Sequence, residues 1–160
     1  MSEVDAPAVS GLLTEDVPLD DFLPYLINRI AGRLNFDLAE DLRRMGVNQQ
    51  YWRLLAVLTA RDGRTINELA VYTVTPQSTL SRTVDRMEQE GLVAKRGLSG
   101  DGRVVTVFLT PAGRNAFDRI LPVAMDHCRN ATRGLTKDEA TTLIRLLKTV
   151  LGNIRQSPYA

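Results

Sequence analysis

The chain has 160 residues and a mass of 17.8 kDa, with 44% hydrophobic and 24% charged residues. That is enough apolar material for one domain with a real core and too much for wholesale disorder. Its 20 basic and 19 acidic side chains leave a net +1 with histidine neutral, which excludes a protein that coats polyanions by bulk charge. One cysteine excludes an internal disulfide scaffold, and no run approaches the roughly 18 apolar residues of a membrane helix.

Charge is spread unevenly. Residues 1–50 carry 4 basic and 9 acidic side chains, residues 51–110 carry 8 and 6, and residues 111–160 carry 8 and 4. The acidic front lacks the basic start of a secretory signal, so a cytoplasmic address is expected. The more basic remainder permits a local nucleic-acid surface without requiring one.

Residues 1–18, with Pro7, Gly11 and Pro18, read as a loose arm. A helix is predicted from about Asp20 to Arg44, because Phe22, Leu23, Leu26, Ile27, Ile30, Leu34, Leu38 and Leu42 recur at helical spacing. Gly46 stops it. Asn48 can cap a second helix with Trp52, Leu54, Leu55, Val57 and Leu58 on its apolar side, ending near Asp62-Gly63. Thr65 and Glu68 have capping-box spacing and start a short third helix that ends near Tyr72. Thr75 as cap and Pro76 as first residue then open a fourth helix to Glu90, with Leu80, Val84 and Met87 inward and Gly91 as stop.

Beyond Gly91 the period changes. Leu92 to Arg96 and Arg103 to Leu109 read as strands around the turn Ser99-Gly100-Asp101-Gly102, which makes a hairpin. Thr110-Pro111 repeats the cap-then-proline start for a helix to about Arg133. Thr136 with Glu139 opens a last helix carrying Leu143, Ile144, Leu146, Leu147, Val150, Leu151 and Ile154. The fold class is therefore mainly α with a small β-hairpin. Its long outer helices have too little company within one chain to cover their apolar sides, which predicts a homodimer.

A short helix, tight turn and second helix at 65–90 is what reading a DNA groove requires, although an ordinary capped surface helix has the same outline. On the second helix Gln77, Ser78, Ser81 and Arg82 form a polar front opposite its apolar positions. Glutamine can pair with adenine, arginine with guanine, and short hydroxyl side chains let the backbone come close. The hairpin tips the balance toward DNA. Lys95 and Arg96 end its first strand and Arg103 opens its second, which gives a cationic wing beside the reading helix. Asp101 is unfavourable next to phosphate unless it pairs with Arg103 or caps the turn.

These segments resemble the MarR family of winged helix-turn-helix transcriptional regulators. The stretch Asp101 to Gly113 follows the family's D-x-R, strand, L-T-x-x-G pattern. Ser78 to Val93 resembles its recognition helix and exit, and Tyr51-Trp52-Arg53-Leu54-Leu55 the start of its second helix. The likeness covers about residues 20–154. It implies a winged helix at 48–110, with recognition helix 76–90 and wing 92–109, between dimerisation helices at 19–47 and 111–155 and followed by a loose tail at 156–160.

Carried over by position, the resemblance places Arg103 in the minor groove with Asp101 as its support. It puts Lys95 and Arg96 at basic positions before the wing, and Gln77, Ser78, Ser81 and Arg82 at bases and phosphates. Arg86 becomes a salt-bridging or phosphate-positioning residue. Val104 stands where many members have a second wing arginine, which leaves fewer phosphate contacts.

The family also implies a homodimeric repressor of a pseudopalindromic operator, modulated by a small aromatic or phenolic acid. Tyr25, Arg29, Tyr51, Trp52, Arg53 and His127 are the candidate pocket walls; for Trp52, Tyr25 and Tyr51 core packing, and for Arg29 a salt bridge to a neighbouring acid, are the ordinary alternatives. His127 and Cys128 are adjacent on a helix and point about 100° apart, so no metal site is expected, and no cofactor. Cys128 is read as a small buried hydrophobe, since the reactive cysteine of the family's peroxide-sensing branch lies near the start of the first helix. Without a phosphate loop, nucleophile elbow or H-E-x-x-H, the chain is not expected to be an enzyme. Asp37, Glu40 and Asp41 could form an acidic patch but suit a solvated surface. The alternative is a helical dimeric protein-interaction module with a degenerate winged helix, which the cationic wing argues against.

Overall fold

The computed structural model describes residues 18–98 and 101–154; the side chains of 98 and 101–104 lie outside that description. It divides into two compact units, Met1–Asp37 and Leu38–Ala160. In the first, a 3-10 turn at Leu19–Asp21 precedes helix α1, Leu23–Arg44, which continues into the second unit. The sequence predicts one helix from Asp20. The start moves to Leu23 because Pro24 fits only the first turn, where its missing N–H is not needed.

In the second unit α2 is Gln49–Ala60, β1 is Arg64–Thr65, α3 is Ile66–Thr73 and α4 is Gln77–Gln89. They are followed by β2 at Val93–Leu98, β3 at Asp101–Leu109, α5 at Pro111–Ala131 and α6 at Lys137–Ile154. Most starts fall where the sequence places them. Asn48 Oδ1 accepts from Gln50 N at 2.7 Å. Thr65 and Glu68 close a full capping box, and Thr110 Oγ1 accepts from Gly113 N at 3.0 Å. Backbone and hydroxyl hydrogen bonds from Thr65 hold the Glu68 carboxyl below the usual carboxylate range.

One expected start is corrected. Pro76, not Thr75, is the N-cap of α4, and no side chain caps that end. Thr75 is committed to the preceding turn, its N–H donating to Ala70 O at 3.0 Å and its hydroxyl to Thr73 O at 3.1 Å.

The sheet has the order β1-β3-β2, antiparallel throughout. Its third strand, the two-residue β1, is too short to show an alternating pattern and was not expected from sequence. It pairs Arg64 with Val107 and Thr65 with Thr106. Arg64 is the surprise here: it is 7% exposed, and its Nε and Nη1 have no hydrogen-bond partner among the described residues. Its guanidinium lies 3.9 Å from the ring centroid of Tyr72, so a π face takes the place of an acceptor and ties β1 to α3.

The core gathers around α2. Tyr51, Leu54, Leu55 and Leu58 pack with Leu42 of α1, Leu69 of α3, Leu80, Val84 and Met87 of α4, Val93, Val107, and Phe117 and Ile120 of α5. Each fully buried leucine contributes about 2 kcal/mol of transfer free energy. The three apolar positions predicted for the reading helix are thus the ones that anchor it. Along α5 the buried positions are Gly113, Phe117, Ile120 and Ala124, and half-buried His127 continues them. Cys128 falls beside this stripe and is exposed, which corrects the expectation that it is buried. On α6 no residue is buried, and Leu143, Ile144, Leu146, Leu147, Leu151 and Ile154 are exposed. Among the described residues no helix is long and apolar enough to cross a membrane.

Candidate nucleic-acid interface

Leu80, Val84 and Met87 seat α4 on the core, so its opposite side must face outward. Gln77, Ser78 and Arg82 are exposed there and Ser81 is half-buried. None of the four makes a side-chain hydrogen bond or ion pair among the described residues. Such groups can pass to a ligand without breaking an internal bond. At the uncapped Pro76 end, first-turn N–H groups and the helix dipole favour an anion.

Other cations are already engaged. Lys95 Nζ lies 2.7 Å from Asp85 Oδ1 and 2.8 Å from Glu88 Oε2, and Lys95 N donates to Glu88 Oε1 at 2.9 Å. These bonds join β2 to α4. The hydrogen bonds to Asp85 and Glu88 raise the Lys95 pKa, while Lys95 holds the Glu88 carboxyl below its ordinary range. Lys95, placed by the resemblance at a basic position before the wing, neutralises two acids of α4 in this structure, because β2 runs alongside α4 and puts the ammonium within reach of both. The tie exists above the ordinary carboxylate pKa and is lost as pH falls through the depressed Glu88 value.

Lys95→Met is expected to expose that acid pair and weaken DNA binding by about 1 kcal/mol, or fivefold. Adding Asp85→Asn and Glu88→Gln should restore affinity in a salt-controlled titration. No rescue would mean that Lys95 meets phosphate itself.

At the other end of α4, Glu90 Oε1 accepts from Arg86 Nε at 3.2 Å and from Tyr51 OH at 3.0 Å. Thr83 Oγ1 donates to Gln50 Oε1 at 3.0 Å, a second side-chain link from α4 to α2. Burial first, then the bond to Glu90, pushes the Tyr51 phenol up. On the wing, the Arg96 guanidinium lies 4.6 Å from the Phe108 ring centroid, and the register breaks between Gly97 and Leu98. Asp101, Arg103 and Val104 lie on β3 by backbone position; their side chains fall outside the described residues.

A helix-turn-helix whose second helix offers unengaged polar groups, tied to a β-hairpin, is a winged-helix arrangement. The MarR family profile matches residues 45–104. The crystal structure of a MarR-family transcriptional regulator from Silicibacter pomeroyi has 36% identity and a TM-score of 0.83, over 91% of this chain and 98% of that one. The chain belongs to the MarR family.

Members of this family are DNA-binding regulators of transcription, not enzymes. The HTH-type transcriptional repressor IacR of Pseudomonas putida is 28% identical over 135 residues, 84% of this chain and 81% of that protein. The homoprotocatechuate degradative operon repressor of Escherichia coli is 26% identical over 117 residues, 72% and 79% of the two chains.

The candidate wall residues of a MarR-family ligand site fall into separate groups. Tyr25 and Arg29 belong to the first unit, where Arg29 lies over the Tyr25 ring at 5.5 Å and 3.7 Å from Asp20. Tyr51 is buried, and its hydroxyl donates to Glu90 just beyond α4. Trp52 stacks on Phe117 of α5, centroids 5.3 Å apart, where packing against the first helix was the ordinary expectation. Arg53 is half-buried. His127 Nε2 is 2.8 Å from Asp41 Oδ2 and lines a cleft with Asp41, Arg44, Met45, Val123, Asp126 and Asn130.

The acidic residues of α1 are paired: Asp37 with Arg33, Glu40 with Arg43 and Arg44, and Asp41 with Arg44 and His127. Sequence reasoning missed Arg64, which ties β1 to α3, and Glu88 and Glu90, which fasten α4 to β2 and α2. The last two could be suspected only from their spacing on the helix relative to β2 and α2.

Proposed function

We propose that this MarR-family chain is a homodimeric repressor of a pseudopalindromic operator, released by a small aromatic or phenolic acid. The observation that carries the DNA-reading part is the unengaged front of α4, Gln77, Ser78, Ser81 and Arg82, beside a wing tied to the same helix through Lys95. In this reading the resemblance makes Arg103 the minor-groove residue and Asp101 its support, Arg96 reaches the DNA backbone, and Arg86 steadies α4 through Glu90.

The dimer is supported by exposed apolar side chains that a single chain leaves uncovered, six on α6 and Leu23, Leu26, Ile27 and Ile30 on α1. Residues 19–47 and 111–155 form the dimerisation region in this reading, and 48–110 read DNA. Two recognition helices about 34–36 Å apart then meet half-sites one turn apart. Repression follows the relatives named as repressors. The effector class follows the operon named for homoprotocatechuate, a phenolic acid. The cleft beside Arg44 and His127, and the Trp52–Phe117 stack, offer cationic and aromatic groups to such a ligand.

The test is a footprint of the chain's own upstream DNA, with sedimentation at the same concentrations. A protected pseudopalindrome at dimer mass, lost when a phenolic acid that shifts Tm is added, is the expected result. A monomer that binds every fragment equally would overturn the reading. A broad panel of aromatic acids that changes neither Tm nor affinity would remove its ligand part.

A further inference from the structure

We infer that Val74 is a specificity-determining residue that meets a thymine methyl group at the edge of the sequence read by α4. The inference rests on the DNA-reading role proposed above.

Val74 is the C-cap of α3, in the turn that leads to α4, and has φ 51° and ψ 47°. It is the only non-glycine residue with positive φ among those described. The turn itself demands that conformation. Val74 N donates to Val71 O at 3.2 Å, and Thr75 N to Ala70 O at 3.0 Å, closing the helix end through a left-handed residue. Glycine or asparagine meets that demand at low cost, whereas a β-branched side chain crowds the backbone there. Folding therefore accounts for the backbone and not for the valine.

Packing does not account for it either. Val74 is 89% exposed, the most exposed of the large hydrophobic residues described. An apolar side chain that strains its backbone and stays this exposed among the described residues has its use outside the chain. Its place says where. Val74 stands three residues before Gln77, at the same end of α4 as the unengaged Gln77 and Ser78. The apolar feature on the major-groove edges of DNA is the C5-methyl of thymine.

The test crosses one protein change with one DNA change. Operator fragments are selected with the wild-type protein from random DNA, then remade with deoxyuridine replacing thymine one position at a time, which removes only the methyl. Wild type is expected to lose about fourfold in affinity at one position of each half-site, the worth of one buried methyl group. Val74→Gly should bind the thymine operator about fourfold more weakly and ignore that replacement, with an unchanged or raised Tm and the same oligomeric state. Val74→Asn, which also suits the left-handed turn, should behave like the glycine variant.

A glycine variant with the wild-type thymine-to-uracil profile overturns the inference. So does one that loses affinity equally for both DNAs, or whose loss follows a change in oligomeric state. Failure of the wild type to select any sequence overturns the DNA-reading role itself, a distinguishable result.

Discussion

Gly113→Ala is expected to lower Tm by about 6 °C, although alanine is the better helix former and the position lies inside α5. A Cβ on Gly113 would stand 2.1 Å from the Leu92 carbonyl oxygen and 3.1 Å from Leu109 Cδ2. That carbonyl cannot simply retreat, because it accepts from Thr110 N at 3.2 Å and Thr110 Oγ1 at 3.1 Å. The helix start and the exit from α4 into β2 are fastened at one oxygen. Relieving the overlap costs about 3 kcal/mol, well above the roughly 1 kcal/mol that alanine offers in a helix. Gly152, with nothing within 4 Å among the described residues, is the control: Gly152→Ala should raise Tm by about 3 °C. Differential scanning calorimetry of both variants decides, and a rise in Tm for Gly113→Ala would refute the close approach.

The second large effect separates two arginines one turn apart. Arg82→Ala is expected to weaken operator binding by about 1–3 kcal/mol, since an unengaged arginine on the reading front gives its whole interaction to DNA. Arg86→Ala should change affinity by less than about twofold. Its guanidinium already serves Glu90 at 3.2 Å, and an exposed pair of that kind contributes about 0–1 kcal/mol to stability. Titrating both variants against one operator at one salt concentration makes the comparison. Equal losses would mean that the Glu90 pair opens on DNA, and a larger loss for Arg86 would move the reading front one turn along the helix.

Where a residue's role follows from its neighbours along the chain, sequence was enough. The caps at Asn48, Thr65, Thr110 and Thr136, the glycine stops, and the change of period after Gly91 depend on interactions within a few residues. The resemblance to winged-helix regulators rested on the same local segments. Thr75 was misplaced because two caps competed for one threonine, and the turn before Pro76 won it. Lys95, Tyr51 and Trp52 were placed by residue type and by the resemblance, neither of which names a partner. Their partners Glu88, Glu90 and Phe117 lie 7, 39 and 65 positions away, and no periodicity reports such meetings. Cys128 and His127 differ by one position on a helix, and which of them continues the buried stripe depends on the pitch of α5 against its neighbours. Arg64 gives no sequence signal, because a buried arginine satisfied by an aromatic ring looks like any surface arginine until the fold closes over it.

The neighbouring positions Tyr51 and Trp52 give α2 a mechanical part. They point about 100° apart, and each is fastened to a different element: Tyr51 to Glu90 just beyond α4, Trp52 to Phe117 of α5. One helical turn is thus the fulcrum between them. A roll of α2 about its own axis would therefore strain both fastenings at once, one on each side of the helix.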